Sequence, residues 1–159
     1  MGFKAILVAT DFSECAGAAF KVAKNLARQF GAKIVLLHVI HQGVVSRIAE
    51  HLKAEPADLL PAFREEAQQH LDAFLQECGC DSLEITGMVT VGIPFQEIAV
   101  IARDLAADLI VMGGYGRSGR GPIEEVFFGS TAEKVVRLLP CPVLCVPWES
   151  QDATAQNPL

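Results

Sequence analysis

The stretch Gly113-Gly114-Tyr115-Gly116-Arg117-Ser118-Gly119-Arg120-Gly121 holds five of the chain's thirteen glycines within nine positions. No acidic side chain lies between Asp108 and Glu124, while Arg117 and Arg120 add positive charge. Without Cβ atoms, such a segment lets backbone N–H groups approach an anion closely. Gly129-Ser130-Thr131 then offers two hydroxyls and a helix start to the same anion. That is the chemistry of a phosphate cradle. A plain surface turn needs far fewer glycines, so their density argues against a mere connection.

Other constellations are weaker. Thr10-Asp11-Phe12-Ser13-Glu14 follows an apolar run, and Asp11 can face a ligand or, with Glu14 three residues on, cap a helix. His38 and His41 have the spacing of metal ligands, but no cysteine or carboxylate cluster joins them, so no metal site is expected. Glu124-Glu125 reads as a solvated helix face rather than a general base. Cys78-Gly79-Cys80 separates its thiols by one residue, which suits neither a redox CxxC nor half of a zinc site. Cys15, Cys141 and Cys145 read as small core hydrophobes. Gly114-Tyr115-Gly116-Arg117-Ser118-Gly119 matches GxGxxG after an apolar run. A dinucleotide fingerprint, however, requires an acid about 20 residues on at the end of the next strand, and Glu133 at that distance falls in a helix pattern. No GK[ST] occurs, which excludes a P-loop. No nucleophile stands beside an activating base, so no catalytic residue is assigned.

The elements that must position these residues follow from periodicity. Five apolar runs rich in branched residues, Phe3–Ala9, Lys33–Val39, Leu83–Val91, Asp108–Met112 and Pro142–Val146, are mostly apolar at consecutive positions, as strands buried on both faces are. Between them, Ala19, Val22, Leu26 and Phe30 recur at helical steps with Gly31 as a stop, and Phe63, Ala67, Leu71, Phe74 and Cys78 do likewise after Pro56 and Pro61. Pro94 opens a helix carrying Ile98, Ala102 and Leu105, and Ser130 with Glu133 forms a capping-box pattern for a last one. Val45, Ile48 and Leu52 mark a short amphipathic helix, or else a flap, in the long connection His41–Glu55. The alternation implies an α/β fold: a single-domain, doubly wound, five-stranded parallel sheet with helices on both faces. Ligands of such sheets bind beyond the carboxyl ends of the strands, where the strand order reverses, and the two segments above fall there.

Composition narrows the function. A chain of 159 residues fits one domain, expected over residues 1–148 with a polar, disordered tail at 149–159. A net charge of −6 and pI near 5.2 argue against nucleic acid as a partner, which requires a basic face. The mean hydropathy of +0.33 is high, yet no apolar run approaches the ~20 residues of a spanning helix, so a membrane is not expected as a partner either. No secretory pattern opens the chain, and Ile6 stands where a myristoylation signal has Ser or Thr, so the protein is expected in the cytoplasm. A receiver domain of a signalling relay would need paired acids after the first strand, an aspartate after the third and a lysine after the fifth. The chain has Asp11 alone, Gly92, and no lysine beyond Lys134.

Ile6-Leu7-Val8-Ala9-Thr10-Asp11-Phe12-Ser13, Leu36-Leu37-His38-Val39, Gly92-Ile93-Pro94, Asp108-Leu109-Ile110-Val111-Met112-Gly113, Gly129-Ser130-Thr131-Ala132-Glu133-Lys134-Val135 and Pro140-Cys141-Pro142-Val143-Leu144 together resemble the universal stress protein family, in order from Phe3 to Pro147. The resemblance implies an ATP-binding stress-response module, with Mg²⁺ or Mn²⁺ carried through the phosphates, that dimerises through its last strand, here Val143–Val146. It implies that Asp11 contacts the adenine or ribose beside Thr10, that Ala9 and Val39 line the base pocket and that Met112 packs near the base. Gly113, Gly116, Gly119, Gly129, Ser130 and Thr131 would hold ribose and phosphates, with Arg117 adding charge. The family pattern G-x2-G-x9-G-[ST] fits in two registers. Gly116 and Gly119 fit with nine residues, Arg120 to Phe128, before Gly129; Gly113 and Gly116 fit from the strand end, with twelve residues, Arg117 to Phe128, before Gly129, a loop three residues longer. A slow ATP hydrolase or nucleotidyl-transfer enzyme, and a nucleotide-free interaction module, are the alternatives of the same fold.

Overall fold

The computed structural model describes residues 2–79, 82–114, 129–138 and 140–147. Their element order is β1 (Ala5–Ala9), α1 (Glu14–Phe30), β2 (Lys33–His41), α2 (Gln42–Leu52), α3 (Pro56–Cys78), β3 (Ile85–Gly92), α4 (Pro94–Asp104), β4 (Leu109–Gly113), α5 (Ser130–Leu138) and β5 (Val143–Val146). The strands form one sheet in the order β3-β2-β1-β4-β5, parallel throughout. The order reverses between β1 and β4, which is therefore the switch point. The expected residues 149–159 of the tail lie outside the described residues, as does Cys80.

Side-chain alternation divides the core into two layers. Ile6, Val8, Ile34, Leu36 and Val111 pack against α1 and α3 through Ala19, Phe20, Ala23, Leu71 and Phe74. Leu7, Leu37, Ile110 and Met112 face the other way, onto Ile98 and Ala102 of α4 and Ala132 and Val135 of α5. The consecutive burial of Ile6–Val8 and Leu109–Met112 is thus covered on both faces, and it accounts for the high mean hydropathy. The outer strands differ. Thr86 and Gly87 of β3 are exposed, and so is Leu144 of β5, because each strand has a neighbour on one side alone.

Local signals set the helix ends. Ser13 caps α1, its hydroxyl accepting from Ala16 N at 3.2 Å, so the capping role open to Asp11 as an alternative to ligand contact is taken by Ser13. Gly31 closes α1 at φ 66°, a left-handed conformation open to glycine at no steric cost. Pro94 opens α4 as expected, and α3 begins at Pro56 and runs through Pro61. Helix α5 starts one residue earlier than the Ser130 cap requires. Ser130 is its first residue, Gly129 O accepts from Glu133 N at 3.0 Å, and the Glu133 carboxylate pairs with Arg137 at 2.8 Å rather than closing a capping box. The long connection contains a helix, α2, whose buried residues are Val45 and Ala49. Ile48 and Leu52 face outward, because the helix docks through the face one step round from the expected stripe.

Two polar links join segments distant in sequence. Asp108 accepts from the backbone N–H of Lys4 (2.8 Å) and Ala5 (3.0 Å), joining the start of β1 to β4, and these donors hold its carboxyl below the ordinary value of 3.8. Lys24 runs its stem along α1, lies 5.3 Å from the Phe20 ring centroid and donates to Gly79 O (3.1 Å) at the C-terminal end of α3, where a cation suits the helix dipole. Of the cysteines expected in the core, Cys15 is buried. Cys141 and Cys145 are only half-buried at the sheet edge against the α4/α5 layer, and burial pushes both thiols up.

Candidate functional site

Above the carboxyl ends of β1, β2 and β4 opens a cleft of about 800 Å³. It gathers Ala9, Thr10, Asp11, Val39, Met112, Gly113, Gly129, Ser130 and Thr131 from four separate segments. Gly116, Arg117 and Gly119 lie outside the described residues, as do Arg120, Gly121, Glu124 and Glu125, and with them the register of the glycine loop.

The segment after β1 is held from several sides. Thr10 N donates to Leu37 O at 2.8 Å, which continues the β1–β2 pairing. Its hydroxyl accepts from Phe12 N at 3.0 Å, and its carbonyl lies 2.9 Å from His38 Nδ1. A carbonyl only accepts, so Nδ1 carries the proton in that bond. Asp11 Oδ1 accepts from Ser13 N at 3.0 Å, which holds the carboxylate at the rim of the cleft. Phe12 has φ 65°, a conformation that disfavours a side chain. Packing holds it there: its ring lies 4.4 Å from that of His38, 5.5 Å from His70 and 6.0 Å from Phe74, centroid to centroid.

On the β4 side the two ends of the glycine loop meet. Gly114 N donates to Val146 O at 3.0 Å, and Gly129 N donates to Gly114 O at 2.6 Å. Gly113 sits so close to α1 that a Cβ there would lie 2.6 Å from Cys15 Sγ. Beside it, Ser130, Thr131 and Ala132 form the first turn of α5, whose N–H groups have no intrahelical acceptor and attract an anion along the helix dipole.

The cleft has a second wall that the sequence did not announce. Phe63, Glu66, Ala67 and His70 of α3 line it, with Phe12, His38 and His41. Phe63 and Ala67 belong to the apolar stripe that predicted α3; Glu66 and His70 border that stripe, the one signal that places them over the strand ends. Among the described lining residues the ionisable groups are Asp11, Glu66 and three histidines, with no lysine or arginine. Among the described residues, no group of three or more His, Cys, Asp or Glu is arranged to hold a metal ion.

This architecture has known relatives. The sequence profile described as the Universal stress protein family matches residues 2–147. Universal stress protein MJ0577 of Methanocaldococcus jannaschii is 29% identical over 156 residues, covering 91% of this chain and 94% of the relative. A solved structure of MJ0577 superposes with a TM-score of 0.79 at 30% identity, over 95% of this chain and all of that one. A universal stress protein of Thermus aquaticus is 33% identical over 150 residues, covering 91% of this chain and 98% of the relative. The universal stress protein of Archaeoglobus fulgidus in complex with dAMP shares the fold, with a TM-score of 0.62 at 23% identity over 92% of this chain and 99% of that one. With a profile match across nearly its whole length and the same five-stranded sheet, this chain belongs to the universal stress protein family.

Proposed function

We propose that the protein is a cytoplasmic stress-response module that binds ATP at the carboxyl ends of β1 and β4 and changes its partner contacts with occupancy. The observation that carries this reading is the convergence in one cleft of Ala9–Asp11, Val39, Met112, Gly113 and Gly129–Thr131. Val39 and Met112 supply apolar surface for a base, and Asp11 an acceptor for its amine or for a ribose hydroxyl. Gly113, Gly129 and the first turn of α5 leave room and backbone donors for phosphates. Gly116, Arg117 and Gly119 would complete that phosphate site. The dAMP complex of the A. fulgidus protein is in keeping with such a ligand on this fold. Mg²⁺ or Mn²⁺ would arrive on the phosphates, with the Ser130 and Thr131 hydroxyls as oxygen donors nearby. The Lewis-acid charge it brings would offset phosphate repulsion in a cleft whose described side chains include no lysine or arginine.

The test is calorimetric titration of protein purified without added nucleotide, with mass spectrometry of small molecules released by acid. Saturable MgATP binding is expected, and a chromatographic time course should show ATP unchanged. Absence of adenine nucleotide from both the purified and the MgATP-soaked protein overturns the reading. Steady turnover abolished by Ser130→Ala would favour the hydrolase instead.

Dimerisation belongs to the same proposal. Strand β5 ends the sheet with Leu144 exposed, and an outer strand presents backbone groups that a second copy can pair. Sedimentation at micromolar concentration should give a dimer that Leu144→Lys dissociates; a wild-type monomer contradicts it. Among the described residues no helix is long and apolar enough to cross a membrane.

A further inference from the structure

The cleft straddles the sheet, and its two walls have different chemistry. Ala9, Val39 and Met112, the strand residues proposed to line the base pocket, all belong to the α4/α5 layer. Phe12 belongs to the α1/α3 layer, and Ile40, Ala67 and Phe63 pack together under α2 and α3. His38 shares a strand face with Ile40 by alternation. On the α3 side there is thus a second lobe, floored by Ile40 and Ala67 and walled by Phe12, Phe63, Glu66 and His70. Glu66 and His70 stand one turn apart on α3, both exposed.

The lining narrows what that lobe can hold. A phosphate would meet the Glu66 carboxylate with no lysine or arginine among the described lining residues to offset it. An alkyl chain would leave a carboxylate and imidazoles against apolar surface, at a desolvation cost. A flat heterocycle with an exocyclic amine suits this lining: a ring face on Phe63, the amine donating to Glu66, and ring nitrogens exchanging hydrogen bonds with imidazole. The passage between the lobes at the β1/β4 switch point is lined by the small residues Ala16 and Gly113, with the first turns of α1 and α5 nearby. The first turn of α5 makes that passage favourable to negative charge, whereas the α1 end is already capped by Ser13 and carries Glu14.

We propose that the α3-side lobe binds a second nucleobase, so that the cleft takes a dinucleoside polyphosphate: one adenosine on the α4/α5 side, the polyphosphate over the switch point and the second base against Phe63, Glu66 and His70. The proposal rests on the nucleotide reading above and adds to it the class of ligand.

Calorimetry on the full chain with Mg²⁺ compares adenosine tetraphosphate with diadenosine tri-, tetra- and pentaphosphate, in the wild type and in Glu66→Ala and His70→Ala. Both substitutions fall on exposed helical positions, and circular dichroism checks that the fold is kept. At least one diadenosine compound should bind about tenfold or more tightly than adenosine tetraphosphate, the scale of one stacked base. The two variants should bring that ratio down towards one. If no diadenosine compound exceeds the roughly twofold gain of having two equivalent ends, the second-base site is overturned while the nucleotide reading stands. A high ratio untouched by either variant also overturns it, since the second base then lies elsewhere. Binding of neither class overturns both readings.

Discussion

Gly113→Ala is expected to lower the unfolding free energy by about 1–2 kcal/mol, a fall in Tm of roughly 2–8 °C for a chain this size. The new Cβ would lie 2.6 Å from Cys15 Sγ and 3.2 Å from both the carbonyl carbon and oxygen of Cys15. That side chain has little freedom to retreat: Cys15 is buried in the first turn of α1, with its sulfur 3.7 Å from Val146 O. The overpacking cost of about 1–3 kcal/mol therefore exceeds the roughly 0.4–1 kcal/mol gained by stiffening the unfolded chain. Gly92→Ala is the control. Its Cβ would come just as close to another residue, 2.7 Å from Glu97 Cγ, but the Glu97 side chain is partly exposed and can swing outward. Its effect should stay within about 0.5 kcal/mol. Urea denaturation of both variants checks the contrast, and equal losses would show that α1 does not hold Gly113 as described. Cys15→Ala in the Gly113→Ala background should recover part of the loss but not all, because the contacts with the Cys15 backbone persist.

Asp11→Asn is expected to weaken adenine-nucleotide binding by roughly tenfold to a hundredfold, the value of a hydrogen bond to a charged acceptor. Its unfolding midpoint should barely move. Asparagine keeps an oxygen for Ser13 N, the 3.0 Å bond that shapes the segment between β1 and α1, so the change isolates the charge. The sign is informative. Removing a carboxylate from a cleft that holds a polyphosphate relieves repulsion, so if Asp11 makes no contact with the ligand, affinity should stay level or rise. Calorimetry on both proteins at one ionic strength decides, since the repulsive contribution is screened by salt and the direct bond much less so.

Much of this molecule could be read from residue order. The five strands were legible because Ile6–Val8 and Leu109–Met112 are apolar without alternation, a pattern that few other elements share. Gly31, Pro94 and the spacing of Ala19, Val22, Leu26 and Phe30 marked helices through local backbone chemistry, which needs no tertiary partner. The points left open or misplaced are those that depend on partners. Ser13 rather than Asp11 caps α1, because the segment after β1 is bent by Thr10 and His38. In α2 the stripe of Val45 and Ala49 faces inward, while Ile48 and Leu52 do not, because the helix docks against Ile40 and Ala67.

The same division holds for the site. Residue types and spacing alone determined an α/β sheet, an acidic chain, a glycine-dense segment after the fourth strand and an aspartate after the first, since each of these is a property of neighbours along the chain. Only the tertiary structure decided that α3 lays Glu66 and His70 over the strand ends, opposite the predicted residues and on the other face of the sheet. That wall is made by a crossover connection, and where a crossover helix comes to rest depends on packing between residues far apart in sequence, such as Phe12 and His70, which no local pattern records.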